Sequence, residues 1–313
     1  MADYQTLFNR LSKNLKLRQK MAKTLHTSAW RLYHKDIPEF PYIIDYYAGH
    51  FVVWEKGKST KNDEIYEKSV RNHEWIEQAL KELMQKNDLV TVFKTRTVQT
   101  RETQYNKEDS TNHYITVDEG VLKFFLNLYD YLDVGLFLDH RPLRQRLLKD
   151  AKDKKVLNLF CYTGSLSVAS AKAGAKVTSV DMSNTYLKWA EDNFLLNKLS
   201  VSQNSFIRAD INEFLKTHFE KYDLILLDPP SFSTSKKMHD IFDVQRDHIW
   251  MIERCMNLLN PNGMLIFSNN LRSFKLAPEI QSKYQVRDIS KWSIPQDIND
   301  AKIHVCFEIK AKA

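Results

Sequence analysis

After Lys155 the chain alternates between short, nearly unbroken apolar segments and helical ones, and this alternation restricts the fold more than any other feature of the sequence. Val156-Leu-Asn-Leu-Phe160 reads as a strand, Leu166–Ala173 as a helix, Lys176-Val-Thr-Ser-Val180 as a strand and Thr185–Leu196 as a helix. Further strands are expected at Phe206-Ile-Arg208, Tyr222–Leu227, Met264–Phe267 and His304–Ile309. A helical stripe of Ile249, Ile252, Met256 and Leu259 precedes a Pro261-Asn-Gly263 turn. Strands that are apolar throughout are covered on both faces, so this pattern predicts a doubly wound, mostly parallel α/β sheet. Ligands in such sheets bind beyond the carboxyl ends of the strands, and the strand-end residues are therefore the ones to read.

The first part of the chain has a different pattern. From Gln5 to Leu25, Leu7, Leu11, Leu15, Ala22 and Leu25 recur at helical spacing, with Arg10, Lys13, Lys20 and Lys23 on the other side. Residues 1–35 carry eight bases against Asp3 alone, which accounts for the whole formal excess of +7. The protein is thus a charge-balanced body with a basic arm, docked as a surface helix or held against RNA phosphates. Tyr42–Tyr47 and His50–Trp54 form a hairpin around Ala48-Gly49; a helix near Ile65–Leu83, a strand at Leu89–Phe93 and a second hairpin turning at Glu119-Gly120 follow. The expected organisation is a basic helix over 1–35, a small α+β domain over 36–130 and the α/β domain over 131–313.

Three cysteines without a C-x-x-C pair argue against a disulfide framework or a structural zinc site. No apolar run approaches the roughly 20 residues of a membrane helix, so a cytoplasmic protein with no membrane partner and no metal is expected.

Four strand ends carry chemistry. Asn158-Leu-Phe-Cys-Tyr-Thr-Gly-Ser165 leads from strand to helix but holds only Gly164 of a G-x-G-x-x-G fingerprint, so a pyrophosphate cradle is disfavoured. Asp181 ends the next strand, where a carboxylate can accept both hydroxyls of a ribose; the alternative is a helix N-cap. Asp210 and Ile211, an acceptor beside an apolar wall, suit an adenine, again with an N-cap as alternative. An adenosine site without a phosphate grip favours S-adenosylmethionine over NAD. Finally, Asp228-Pro-Pro-Ser-Phe232 follows an apolar strand: the prolines pin the backbone, and Phe232 is available to stack on a base.

Together, five segments resemble the RlmK-type bacterial 23S ribosomal RNA guanine-N7 methyltransferases, found also as the C-terminal half of the fused RlmKL enzyme. These are Asp130-Tyr-Leu-Asp-Val-Gly-Leu-Phe-Leu-Asp-His-Arg141; Leu157–Gly164; Val180-Asp-Met-Ser183 with Thr185–Ala190; Leu227–Phe232 with Phe242–His248; and Phe267-Ser-Asn-Asn270. Lys13-Asn-Leu15 and Lys94-Thr-Arg96, with Asn106 nearby, extend the likeness over nearly the whole chain. The resemblance implies a Rossmann-like class I methyltransferase fold with a seven-stranded sheet and S-adenosylmethionine as cofactor. It implies 23S ribosomal RNA, or a large-subunit precursor particle, as partner. Cofactor contacts are then expected from Asp139, Asn158, Phe160, Tyr162, Thr163, Gly164, Asp181, Met182, Asp210, Ile211 and Asp228. The base is expected at Asp228, Pro229, Pro230, Phe232 and Asn269, and RNA phosphates at Lys13, Lys16, Lys20, Lys94, Arg96, Lys236 and Arg246, with Lys237 beside them. The fused enzyme's guanine-N2 half and RNA-binding module are expected to be missing, leaving the arm to supply RNA affinity.

The residue types discriminate between reactions. Methylation of cytosine C5 requires a thiolate added to the ring, and the two places where related enzymes carry that cysteine are here Pro230-Ser231 and Ser268-Asn269. Guanine N7 presents a lone pair without a proton, so placement alone carries most of the catalysis. Asn269 and Asn270 offer amide donors for guanine O6. The competing readings are a guanine-N2 or cytosine-C5 methyltransferase and a non-catalytic RNA-binding assembly factor; a nicotinamide oxidoreductase is disfavoured by the absent fingerprint. The basic run from Arg141 to Lys155 is expected to be mostly solvated helix and linker.

Overall fold

The computed structural model describes residues 3–57, 63–96, 111–233 and 242–312 and divides into two units. The first comprises Met1–Val134 with Gln296–Asn299, the second Gly135–Pro295 with Asp300–Ala313.

The first unit begins with helix α1 (Tyr4–Leu25), capped by the Asp3 carboxylate on Thr6 N. Strands β1 (Ala29–His34), β2 (Ile43–Tyr47), β3 (His50–Lys56) and β4 (Val90–Arg96) form a sheet in that order, β3 and β4 running parallel through the crossover helix α2 (Asp63–Met84). Leu7, Leu11 and Leu15 of α1 are buried with Ile76 and Leu80 of α2 and Ile44, Phe51 and Val53 of the sheet. The basic helix is therefore part of a core, its apolar stripe inward and Arg10, Lys13, Lys16, Lys20 and Lys23 outward. β5 (Tyr114–Glu119) and β6 (Leu122–Asn127) form the expected hairpin.

Strand β1 differs from expectation: the sequence pattern assigns this stretch to the arm, yet all six of its residues are buried. Its Arg31 is buried because the guanidinium grips Asp45 through Nε (2.7 Å) and Nη2 (3.1 Å), while Trp54 Nε1 donates to the same carboxylate at 3.1 Å. The backbone N–H of Arg31 donates to Asp297, in the segment that returns from far along the chain.

The second unit opens with a 3-10 turn at Leu138–His140 and α3 (Arg141–Asp150), and continues with β7 (Lys155–Leu159), α4 (Ser165–Lys172), β8 (Lys176–Asp181), α5 (Asn184–Leu196), β9 (Ser205–Arg208), α6 (Ile211–Thr217) and β10 (Tyr222–Leu227). Then come the short β11 (Phe232–Ser233) and β12 (Phe242–Asp243), α7 (Val244–Asn257), β13 (Leu259–Asn269), α8 (Pro278–Lys283), β14 (Tyr284–Asp288), α9 (Ser290–Ser293) and β15 (Val305–Ala311). The seven-stranded sheet has the order β14-β15-β13-β10-β7-β8-β9, with β15 alone running antiparallel to the rest. This is the doubly wound architecture expected from the sequence. Successive strands leave β7 toward β8 on one side and β10 on the other, which puts the switch point between β7 and β10. The Pro261–Gly263 turn falls inside β13, where pairing to β10 jumps from Leu259 to Met264.

The expectation for the basic run after Arg141 is corrected at two positions. Arg141 and Arg144 are 2% and 0% exposed, and Arg144 Nη1 donates to Phe137 O at 2.9 Å.

Candidate active site

At the end of β7 the backbone is left-handed at every second residue: Phe160 (φ 57°), Tyr162 (φ 51°) and Gly164 (φ 74°). Two of these are bulky residues for which this conformation is strained, so the surroundings must impose it. Cys161 N donates to Val180 O, Tyr162 N to Asp181 Oδ2 (3.0 Å), Thr163 Oγ1 to Gly135 O (2.7 Å) and Asn193 Nδ2 to Thr163 O (2.9 Å). The two glycines permit close approach: a Cβ on Gly135 would lie 2.4 Å from the Trp189 ring, and one on Gly164 2.7 Å from Ala190 Cβ. Asn158 is 2% exposed and donates to Ser167 Oγ, which meets Ser179. Asn158 and Thr163 therefore brace this loop with their side chains, while Phe160 and Tyr162 remain partly exposed along it.

The Asp181 carboxylate accepts from Tyr162 N on one oxygen and Ser183 N on the other. Burial pushes its pKa up, against the pull of these backbone amides. A carboxylate offers about four acceptor positions, so capacity remains for a hydroxyl ligand such as a vicinal diol. Its alternative as a helix cap is filled by Ser183, whose hydroxyl accepts from Tyr186 N at 3.3 Å. Asp210 does cap a helix, accepting from Asn212 N and Glu213 N through Oδ1, with Ile211 buried behind it. The loop thus fits an adenosine-type ligand and has no phosphate cradle.

Beyond β10, Asp228 is held by two side chains: Ser268 Oγ donates to Oδ1 at 2.6 Å, and His140 Nε2 lies 3.3 Å from Oδ2. Parallel pairing of Leu227 with Phe267 brings Ser268 level with Asp228. A second bond, Ser231 Oγ to Asn270 Oδ1 at 2.6 Å, ties the two loops together. Between them Asn269 is 1% exposed; its Oδ1 accepts from Leu271 N, and its amide nitrogen is buried without a partner among the described residues. A buried donor of this kind needs an acceptor from elsewhere. Pro229 is buried, and Phe232, 52% exposed, stands at the rim.

His140 stands inside the Asp130–Arg141 motif but the sequence gives it no role, and His304 lies outside every motif. Their rings stack at 5.0 Å and 6°, and His304 Nδ1 lies 2.7 Å from Asp139. Asp139, His140 and His304 bring three potential metal-ligating atoms within 4.8 Å. Both nitrogens of His304 are engaged, with Asp139 and with Ser293 Oγ (2.8 Å), and His140 faces Asp228, so the cluster is organised as two histidine–aspartate pairs. No sequence signal links these residues, which lie at opposite ends of the unit's chain.

Among the expected RNA contacts, Lys13, Lys16 and Lys20 are exposed on α1, and Arg246 is exposed beside Asp247 (2.6 Å). Lys94 is a correction: it is 6% exposed, and its ammonium is capped by the carbonyls of Tyr129 and Tyr131, so it is not available to phosphate. The Arg96 side chain, Asn106, Lys236 and Lys237 lie outside the described residues. Among the described residues, no helix is long and apolar enough to cross a membrane.

A doubly wound sheet with a carboxylate at the end of β8 and an Asp-Pro-Pro turn after β10 is the arrangement of a methyl-transferring protein. A family model described as S-adenosylmethionine-dependent methyltransferase matches residues 83–290, and the chain belongs to that family, with S-adenosylmethionine as its cofactor. It is 42% identical over 326 residues to "Ribosomal RNA large subunit methyltransferase K" of Neisseria meningitidis serogroup B, covering 100% of this chain and 89% of that one. It is 45% identical over 306 residues to "Ribosomal RNA large subunit methyltransferase K/L" of Legionella pneumophila, spanning 97% of this chain but 43% of the relative's length. A solved structure, "Crystal structure of SMU.776, a putative methyltransferase complexed with SAH", aligns with a TM-score of 0.78 at 23% identity, over 99% of this chain and 82% of that one. This last likeness concerns the fold alone.

Proposed function

We propose that the protein transfers the methyl group of S-adenosylmethionine to N7 of a guanine in 23S ribosomal RNA. The observation that carries this reading is the buried amide nitrogen of Asn269, which has no partner among the described residues and follows Ser268 of the Asp228 clamp. On its major-groove edge guanine presents N7 and O6, both acceptors; a donor on O6 leaves N7 free to react. The names of the K and K/L relatives support large-subunit ribosomal RNA as the substrate.

When bound, S-adenosylmethionine supplies an electrophilic methyl group on a sulfonium. Asp181 holds the ribose hydroxyls, Asp210 and Ile211 border the adenine, and Asp139, Met182 and the Phe160–Gly164 loop complete the cofactor side. Pro229, Pro230 and Phe232 fix and stack the base. N7 has no proton to remove, so the site needs neither a general base nor a covalent adduct, and placement supplies the acceleration.

The thiols argue against C5 chemistry. Cys306 lies opposite Ser268 in the sheet, and burial, with the Asp228 charge adding to it, pushes its thiol up to about 12; burial also raises Cys161 and Cys255. None is a ready thiolate. Incubation of the purified protein with undermodified ribosomal RNA and methyl-labelled cofactor, followed by nucleoside chromatography, should yield 7-methylguanosine. Label only in 5-methylcytidine or N2-methylguanosine would overturn the assignment.

A further inference from the structure

The Asp228 carboxylate has one oxygen held by Ser268 and the other by His140. His140 is 6% exposed, its ring lies flat on His304, and His304 is fixed in turn by Asp139 and Ser293. We propose that His140 is a positioning residue for methyl transfer: its Nε2–H clamps Asp228 Oδ2, and with Ser268 it sets the rotation of that carboxylate and hence the Asp-Pro-Pro-Ser turn that seats the base. This rests on the methyl-transfer reading above.

Charge agrees with the geometry. The groups facing His140 are Asp228, Asp139, Arg144 and the stacked ring of His304. Burial alone drives an imidazole toward its neutral form, as at His248, whose pKa is lowered and whose Nε2 accepts from Ala277 N. At His140 burial acts the same way and Arg144 adds to it, but the attraction of Asp228 and Asp139 exceeds both and raises the pKa to about 9. Burial likewise opposes ionisation of Asp228, and His140 and Ser268 outweigh it, lowering that pKa despite repulsion from Asp139. Near neutrality both partners are ionised. The imidazolium carries one proton on Nε2, facing Asp228, and a second on Nδ1, which is buried without a partner among the described residues; the two carboxylates offset that cost, and deprotonation removes the charge that attracts Asp228. The raised pKa means that the contribution of His140 to folding is fully present below the ordinary imidazole range and is lost as pH rises through about 9.

The test compares the full-length wild type with His140→Leu and His140→Gln. Leucine should lower kcat on the order of a hundredfold, with KM for RNA and calorimetric cofactor Kd nearly unchanged; glutamine, whose amide N–H reaches toward the same oxygen, should restore most of the loss. Wild-type kcat should decline above about pH 9 while that of His140→Gln stays flat. Full activity of His140→Leu, or a glutamine variant as poor as leucine, would overturn the inference. Nitrogen NMR of histidine-labelled wild type provides a check that needs neither a folded variant nor activity: His140 should remain protonated to about pH 9, and titration in the ordinary imidazole range would refute the clamp. If the wild type itself methylates no RNA while NMR shows the protonated pair, the methyl-transfer reading fails and the clamp survives as a structural fact only.

Discussion

Asp181 and Asp228 both stand at strand ends of one sheet, and the chain holds them by different means. Asp181 is gripped by backbone amides of Tyr162 and Ser183, Asp228 by the side chains of Ser268 and His140. Backbone amides are neutral, so burial dominates and the Asp181 pKa rises; an imidazolium balances charge, so the Asp228 pKa falls although desolvation opposes it. The first arrangement fixes position and, on the proposed reading, leaves lone pairs for the ribose of the cofactor. The second gives a locked, charge-compensated group suited to hold a turn.

The largest expected effect is therefore at Asp228. Asp228→Asn weakens the His140 clamp and frees the turn, and should lower kcat by on the order of a hundredfold or more, with cofactor Kd little changed. Single-turnover methylation and calorimetry measure the two quantities separately. A parallel loss in both would erase the distinction between the two strand ends.

Asp181→Ala should show the opposite split. Hydrogen bonds to a charged acceptor contribute roughly 1.5–3 kcal/mol each, so cofactor Kd should rise at least about tenfold, while kcat at saturating cofactor recovers. The pH dependence sharpens the contrast. Because the Asp181 pKa is raised, acidification should weaken cofactor binding from above the usual carboxylate range, and Asp228, with its lowered pKa, should still be ionised there. For the cofactor-free fold the sign reverses: protonating Asp181 relieves a buried charge, so its contribution to stability grows as pH falls. Binding by Asp181→Asn should lack the acidic limb; if it persists, another group is responsible.

The sheet and both hairpins were legible because apolar periodicity and turn residues are local signals. So were the backbone-held Asp181 and the Asp-Pro-Pro turn, which lie at strand ends that the same pattern predicts. The side-chain-held part was not. Asp139 and His304 lie 165 positions apart, and no periodicity reports which distant side chains will meet. Strand β1 escaped for a related reason: Arg31 and His34 look solvent-facing, and only the Asp45 carboxylate, brought in by β2, permits the arginine to be buried. Lys94 was misassigned to RNA because the carbonyls of Tyr129 and Tyr131 that cap it are set by tertiary structure.

Burial of Arg31 also changes the meaning of the basic N-terminal segment. Part of its charge is neutralised inside the first unit, and Arg18 donates to Gln296 O, but Lys13, Lys16 and Lys20 remain exposed on α1 while Leu7, Leu11 and Leu15 hold the helix down. Removing those three charges should therefore spare the fold, unlike deletion of the helix, which would open a core. For Lys13→Gln, Lys16→Gln and Lys20→Gln combined, the slope of log K for RNA against log salt should flatten by about 0.7–0.9 for each phosphate that a lysine no longer neutralises. Cofactor Kd and kcat at low salt should be near wild type, making this the smallest effect on turnover. Filter binding from low to moderate salt measures the slope. An unchanged slope would mean that the lysines are solvated surface and that RNA affinity arises elsewhere in the chain; a change in cofactor Kd would instead mean that the cofactor strand end senses this helix, contrary to its construction from local backbone amides.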